Sequence, residues 1–361
     1  KEPLDDEFFR DVRSVTEAVH VMLHTPIPKE LAETLPSRMS KNSMKRGENV
    51  LERRIRVCFE YADDEFLYVT PVDEVSDEYW KIRYNQLGVN DEFTEGIKDY
   101  WRHAQLNLLD VKRNEDGTYT PSFIVLEPDY LVDISALAEC YRDYGSHPAN
   151  YIMSRLVPID NARPLLLGNI ANLFLDEWIY ASEEEPEYLD CMKKVFKRYP
   201  VELAACEELL DKEKETAFFK DCQMHFEHIR QTVKDTFLEP GYNLDKSDAV
   251  LEPSYICEAL GVQGRLDYMQ RDMSSFIEMK SGKADEYAMK GKLEPKENNR
   301  VQMLLYMAVL EYSMGIDRRK QHPYLLYTRY PLLYPARASW AQVRRIIALR
   351  NRIVAAEYGT Q

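Results

Sequence analysis

The chain has 361 residues, of which 45% are hydrophobic and 30% charged, so it is long enough to form two domains with their own cores. Its formal net charge of −15 argues against a protein that coats nucleic acid through overall positive charge. No apolar run approaches the length of a membrane helix and the cysteines form no closely spaced pair, so we expect an intracellular, cytoplasmic protein without a membrane partner.

The first 130 residues are expected to be rich in β-structure. Apolar and polar residues alternate over 55–61, and a further apolar run follows at 66–69, which predicts a hairpin. A second hairpin is predicted around the Asp-Gly turn at 116–117, and 91–109 is expected to be helical. We interpret residues 1–130 as a β-rich region, either a barrel-like DNA-binding domain or a platform.

The remainder, residues 131–361, is expected to be an α/β domain in which a small sheet is flanked by helices. The predicted helices cover 135–145, 161–180, 187–237, 298–313 and 340–357. The predicted strands cover 249–251, 264–269, 275–280 and 324–328. Ser135 is the expected N-cap of the first helix.

Two carboxylates and a lysine fall near the ends of two strands that are predicted to be neighbours. The run 264–269 contains Asp267, and the run 275–280 contains Glu278 and Lys280. Side chains alternate along a strand, so Glu278 and Lys280 share one face, and a hairpin places Asp267 beside Glu278. A cation between two adjacent carboxylates keeps both ionised, and oxygen ligands suit magnesium. The pattern predicts a divalent-metal site, with Lys280 orienting or deprotonating a bound water.

A polar pair on the helix after this hairpin supports the interpretation. Gln302 and Tyr306 are four residues apart and therefore share a helix face. Taken alone, Glu278 and Lys280 are more often solvated charges of an edge strand, and Tyr306 is more often a core residue. The combination, with carboxylates that terminate apolar strands, favours a catalytic site.

Three motifs resemble the RecB-like branch of the PD-(D/E)XK nuclease superfamily. They are Gly264-Arg265-Leu266-Asp267, Glu278-Met279-Lys280 and Gln302-Met303-Leu304-Leu305-Tyr306. Within that branch, 131–361 is similar to the nuclease domain of the helicase–nucleases that trim Okazaki-fragment flaps, and further matches are Leu325-Leu326-Tyr327 and Leu349-Arg350-Asn351. The resemblance implies a restriction-endonuclease-like α/β (α+β) core.

The same resemblance implies roles for individual residues. The metal ligands would be Asp267, Glu278 and, through its carbonyl oxygen, Met279. Lys280 would be catalytic, and Gln302 and Tyr306 would support the site or contact DNA. The expected cofactor is Mg²⁺ or Mn²⁺, the expected substrate is single-stranded DNA or a flap, and the expected partner is a helicase domain in the same or an associated chain, acting in DNA replication or repair.

One metal ligand of the family is replaced in this chain. Relatives carry a histidine on the helix after a Leu-x-Gly pattern, here Leu166-Leu167-Gly168, and Asn172 stands where that histidine is expected. An asparagine oxygen ligates a hard cation more weakly and without charge. We therefore expect Asn172 to be a weak ligand and the preference for manganese to fall.

An iron–sulfur cluster is not expected. Relatives with a cluster supply one cysteine before the nuclease core and three after it. Cys140 occupies the upstream place, but no cysteine follows Cys257. We expect Cys140 to be a buried, small apolar residue instead.

A basic segment follows the motifs. Between 318 and 356 the cations are Arg318, Arg319, Lys320, Arg329, Arg337, Arg344, Arg345, Arg350 and Arg352, and there is no acidic residue. Such a segment is either a solvated helix face or a nucleic-acid contact, and its place after the motifs favours the contact.

The leading hypothesis is a magnesium-dependent nuclease domain for single-stranded DNA. A rival is a DNA-binding or scaffolding module on the same fold, made catalytically silent by Asn172. A third hypothesis is a protein-interaction domain whose acidic N-terminal half binds a partner. Steep loss of DNA affinity with salt would distinguish a true DNA binder from the last of these.

Overall fold

The computed structural model describes residues 51–72, 78–142, 146–157, 163–182, 184–242, 244–287, 292–337 and 339–358. Three sequence predictions fall partly on other residues. These are the first fifty residues of the β-rich region, the end of the first predicted helix at 143–145, and the start of the second at 161–162.

A small closed, barrel-like sheet occupies 51–126. Its strands are β1 (Leu51–Ala62), β2 (Phe66–Pro71), β3 (Trp80–Arg83), β4 (Gln105–Arg113), β5 (Tyr119–Thr120) and β6 (Phe123–Leu126). They are hydrogen-bonded in the order β1-β2-β3-β5-β4-β6, and an additional β1–β4 pairing closes the barrel. Alternate residues such as Leu67 and Val69 point into its core. Both predicted hairpins are confirmed, because β1 pairs with β2, and β4 pairs with β5 and β6, in antiparallel fashion.

The helix predicted over 91–109 is wrong. The stretch contains two short 3-10 turns, Asp91–Phe93 and Ile97–Asp99, and then β4 begins at Gln105. Strand β4 is buried on both faces, and the Asn107 side chain donates to the main-chain oxygen of Glu258 at 3.0 Å. The buried apolar residues of β4 are Leu106, Leu108, Leu109 and Val111, and spacings of three residues also occur on a helix face, so this pattern does not separate a strand from a helix.

The rest of the described chain is a mixed α/β unit. Its first elements are β7 (Val132–Asp133), α1 (Ile134–Glu139), α2 (Pro148–Leu156), α3 (Arg163–Tyr180), α4 (Tyr188–Arg198), α5 (Pro200–Ala205) and α6 (Lys212–Lys234). Then come β8 (Ala249–Leu251), β9 (Ser254–Cys257), β10 (Val262–Arg265), β11 (Tyr268–Gln270), β12 (Ser275–Lys280), β13 (Asp285–Tyr287) and β14 (Lys292–Glu294). The last are α7 (Glu297–Met314), β15 (His322–Tyr327), β16 (Leu332–Pro335) and α8 (Trp340–Tyr358).

A mixed five-stranded sheet lies between two layers of helices. Its order is β16-β15-β12-β11-β8, and β12 and β15 run parallel while the other neighbours are antiparallel. Along β12, Phe276 packs in the core that includes α7 and α8, whereas Ile277 and Met279 pack in the core that includes α3 and α6. The predicted mixed sheet with flanking helices is confirmed.

Three local predictions need correction. The helix predicted over 187–237 is broken into α4, α5 and α6, because Pro200 begins a new helix and the Asp211 side chain caps α6 by accepting from the N–H groups of Glu213 and Lys214. The strand predicted over 264–269 is divided between β10 and β11, which belong to different sheets. The N-cap of α1 is Asp133 rather than Ser135, since its carboxylate accepts from the Ala136 N–H at 2.8 Å.

Helix α8 connects the barrel to the mixed unit. The Asn351 side chain accepts from the Leu126 N–H at 3.0 Å and donates to the Ile124 oxygen at 2.6 Å, so it pairs with the main chain of β6. Within the described part of the chain, no helix combines the length and hydrophobicity needed to cross a bilayer.

Candidate active site

The two carboxylates predicted to be neighbours do lie side by side. Tyr268 of β11 pairs with Ile277 of β12, which sets the preceding Asp267 opposite Glu278. The main-chain N–H of Met279 donates to Oδ2 of Asp267 at 2.6 Å. Met279 therefore contacts Asp267 through its N–H, whereas the sequence prediction assigned a role to its carbonyl oxygen.

Lys280 and Gln302 complete a compact polar constellation on the α7 side of β12. The Lys280 ammonium donates to Oε1 of Glu278 at 2.9 Å and to Oε1 of Gln302 at 2.7 Å. The Gln302 amide in turn donates to Oε1 of Glu278 at 2.6 Å. All three side chains lie in this arrangement because Glu278 and Lys280 share a strand face and α7 crosses that face.

One oxygen of Glu278 has no hydrogen-bond partner among the described residues. The residue is only 4% exposed, and while Oε1 accepts two hydrogen bonds, Oε2 has none within the described part of the chain. A buried carboxylate oxygen without a donor carries a desolvation cost that a bound cation would remove. Oε2 of Glu278 and the neighbouring carboxylate of Asp267 are hard oxygen donors of the kind magnesium and manganese accept.

The pKa shifts of Asp267 and Glu278 are consistent with a cation-binding site. Burial, followed by the charge of Glu278, raises the pKa of Asp267 well above its usual range. Burial also raises the pKa of Glu278, against the opposing effect of Lys280. Burial lowers the pKa of Lys280, but the charges of Glu278 and Asp267 outweigh it and leave that pKa above its usual value. Without a cation the two carboxyls do not both ionise readily, and Lys280 keeps its proton at neutral pH.

Tyr306 is linked to the site by a hydrogen bond to the main chain of Arg265. Its side chain is fully buried, and its hydroxyl donates to the main-chain oxygen of Arg265 at 2.7 Å. Gly264 makes this approach possible, because a Cβ there would lie 3.0 Å from the Tyr306 hydroxyl and from a methyl of Ile134. Tyr306 thus fixes the chain two residues before Asp267.

Asn172 lies on the helix that passes the site. One turn earlier on α3, a Cβ on Gly168 would lie 3.5 Å from Oγ of Ser281, the residue directly after Lys280. One turn later, burial and the charge of Glu252 raise the pKa of Asp176 to about 6. Asn172 is on the same side of α3 between these two points, half-buried, and among the described residues it has no hydrogen bond to Asp267 or Glu278.

Two residues near the site were not predicted from the sequence to lie there. Ser135 accepts a hydrogen bond from the Gln302 amide at 3.1 Å, a role that became available because Asp133 caps α1. Glu252 donates its N–H to the main-chain oxygen of Asp267 at 3.1 Å. Neither Ser135 nor Glu252 is part of a motif, so only the strand pairings bring them to this place.

The basic segment does not form a continuous exposed strip. The cations of the segment that form ion pairs or hydrogen bonds with other side chains or the main chain include Arg318, Arg319, Arg329, Arg344, Arg350 and Arg352. Arg344 and Glu92 form an ion pair at 2.8 Å in which each side chain is 10% exposed, and Arg350 is fully buried. For the buried Arg344 and Arg350 the predicted nucleic-acid contact is wrong, and for the other cations of the segment it stays a prediction. Cys140 is buried as expected, and burial raises the pKa of its thiol to about 11.

Within the described ranges, no three His, Cys, Asp or Glu side chains converge as a metal-binding group. A cation held by Asp267 and Glu278 would complete its coordination with main-chain, amide, water or phosphate oxygens. In comparisons with known proteins, no family model matches the sequence and no curated protein is significantly similar to it.

Proposed function

We propose that this protein is a metal-dependent nuclease that hydrolyses phosphodiester bonds of single-stranded DNA or flaps, with Mg²⁺ or Mn²⁺ as its cofactor. The observation that supports it most is the buried oxygen of Glu278 beside the Asp267 carboxylate, which has no hydrogen-bond partner in the part of the chain that the structure describes. The mixed sheet between two helical layers is consistent with a restriction-endonuclease-like core. A helicase domain in the same or an associated chain, acting in DNA replication or repair, belongs to the same proposal.

Each residue of the constellation has a distinct part in the proposed chemistry. A bound divalent cation would lower the pKa of a coordinated water and offset the charge on the scissile phosphate. Asp267 and Glu278 would hold it. Lys280 stays protonated, so it orients the attacking water and stabilises developing negative charge rather than accepting a proton. Gln302 holds Lys280 and Glu278 at fixed positions.

The test is cleavage of 5′- and 3′-labelled single-stranded DNA in Mg²⁺ or Mn²⁺. We expect Asp267→Ala and Lys280→Ala to lower the rate about a hundredfold or more. The matched controls are Asp190→Ala and Lys193→Ala, which remove an exposed Asp–Lys pair 2.7 Å apart on α4. Equal cleavage by wild type, Asp267→Ala and Lys280→Ala would show that this site does not carry the activity.

A silent module on the same fold is the second candidate, and Asn172 in place of the family's histidine favours it. Calorimetric titration with Mn²⁺ separates the two. A binding site that disappears in Glu278→Ala supports the nuclease. A wild-type protein that binds DNA but takes up no Mn²⁺ at this site supports the silent module.

A further inference from the structure

Arg265 lies two residues before Asp267 in the sequence, and among the described residues its side chain has no hydrogen bond to that carboxylate. It is the last residue of β10, and exposure alternates from Arg265 through the fully buried Leu266 to the half-buried Asp267. Glu252, the ion-pair partner of Arg265, donates its N–H to the main-chain oxygen of Asp267, which brings the cation to the same end of β11. The Tyr306 hydroxyl holds the main chain at Arg265, so the point from which this side chain extends is fixed.

The guanidinium of Arg265 is held only loosely. Its partner is Glu252, with 3.5 Å between the nearest nitrogen and oxygen, and the two side chains are 60% and 35% exposed. An ion pair of this kind contributes only about 0–1 kcal/mol, so a stronger anion can replace the carboxylate. Glu252 itself is fixed by its N–H, which donates to the Asp267 oxygen, and its backbone has φ +51°.

A DNA strand that approaches Asp267 meets three acidic side chains. Asp267, Glu278 and Glu252 lie together, and Lys280 is already engaged by Glu278 and Gln302. A phosphate at this place needs a cation that is exposed and not tightly paired. The planar guanidinium of Arg265 meets both conditions and binds phosphate through two parallel hydrogen bonds.

We propose that Arg265 binds a backbone phosphate of single-stranded DNA next to the scissile one, and that Glu252 holds the guanidinium at the site until the phosphate replaces it. This inference rests on the proposed function, because it names a substrate contact of the same site. Arg265 is a substrate-binding residue in this scheme, and Glu252 acts through Arg265.

The experiment measures binding of fluorescein-labelled oligo(dT) by anisotropy in EDTA, across a range of salt concentrations. We expect Arg265→Gln to weaken binding about fivefold and to reduce the slope of log affinity against log salt by about 0.7, the value for one phosphate on a single strand. Arg265→Lys should retain most of the slope because it retains the charge. Glu252→Gln should tighten binding about twofold, since it releases the guanidinium.

The double variant decides whether Glu252 acts through Arg265. If it does, Glu252→Gln changes nothing in the Arg265→Gln background. Equal tightening in both backgrounds would show general repulsion of DNA by Glu252 and would overturn the proposal. The matched controls are Arg271→Gln and Asp248→Asn, an exposed ion pair at 3.1 Å beyond the far end of β11, which should leave affinity within about twofold.

Failure of this inference and failure of the proposed function are distinguishable. Normal cleavage by the wild type, together with unchanged DNA affinity in Arg265→Gln, refutes the role of Arg265 alone. Binding through Arg265 without any cleavage refutes the nuclease function alone. A wild type that binds no oligo(dT) refutes both. Melting temperatures of each variant identify any loss of binding that comes from unfolding.

Discussion

Replacing Arg350 by methionine is expected to destabilise the protein by about 4 kcal/mol. The Arg350 side chain is fully buried, and its guanidinium donates to the main-chain oxygens of Gly261 at 3.1 Å and Glu127 at 2.8 Å, as well as to those of Leu126 and Tyr130. Burial lowers the pKa of Arg350 to about 10, which still leaves it charged at neutral pH.

The size of this destabilisation follows from the carbonyl oxygens that would lose a hydrogen-bond donor. Methionine fills a similar volume but donates no hydrogen bond, so four carbonyl groups lose a donor. The oxygens of Gly261 and Glu127 still accept from the N–H groups of Val132 and Tyr130, each at 3.0 Å, so the loss falls mainly on the oxygens of Leu126 and Tyr130. An acceptor left without a donor costs about 1–3 kcal/mol, and removal of a buried charge returns part of the total. A cost near the upper limit for these two groups, less the part returned, gives about 4 kcal/mol.

Urea unfolding monitored by tryptophan fluorescence and by circular dichroism measures this loss. The control is Arg345→Met, an exposed position on the same helix, which should change the free energy of unfolding by less than about 0.5 kcal/mol. A loss below about 1 kcal/mol in Arg350→Met would refute the reasoning, because the oxygens of Leu126 and Tyr130 would then have found other partners.

Three further predictions concern protons and metal. Burial lowers the pKa of His225 to about 4 from its ordinary 6.5, so between these pH values only the unfolded chain takes up the proton. The free energy of unfolding should therefore fall by about 3 kcal/mol as the pH drops from 6.5 to 4. A His225→Phe variant should lack this component when unfolding is measured across the same pH range. Because the pKa values of Asp267 and Glu278 are raised, Mn²⁺ binding should release protons and become tighter as the pH rises. Calorimetry in two buffers of different ionisation enthalpy measures the proton release. Binding without proton release would contradict this prediction. Asn172→His should strengthen Mn²⁺ binding about tenfold in the same titration, and no change would mean that Asn172 does not face the metal.

The contacts among Glu278, Lys280 and Gln302 could be predicted because these residues belong to local patterns, while their catalytic role stays a prediction. Glu278 and Lys280 share a strand face by the period of two, and the α7 residue Gln302 faces them, so their contacts follow from short segments. The neighbouring position of Asp267 needed one further assumption, a hairpin, which the β11–β12 pairing confirms.

Other features depended on partners that are distant in the sequence. The helix predicted over 91–109 failed because Asn107 and its neighbours are covered on both faces by distant segments. Ser135 was predicted to cap a helix, and nothing in its own segment indicates its contact with Gln302, which lies 167 residues away. The cations Arg344 and Arg350 were interpreted as surface residues because their partners, such as Glu92 and Gly261, are 252 and 89 residues away along the chain.

The glycines of the segment around β10 restrict how this sequence can change during evolution. Gly264 leaves the space into which the Tyr306 hydroxyl reaches, and Gly261, at φ +63°, leaves the space for the Arg350 guanidinium, from which a Cβ would lie only 2.4 Å away. In each pair, the large residue occupies the volume that a side chain on the glycine would need. Substitutions at Gly264 should therefore be accepted only with smaller residues in place of both Tyr306 and Ile134, and selection from a library randomised at these three positions should recover correlated combinations.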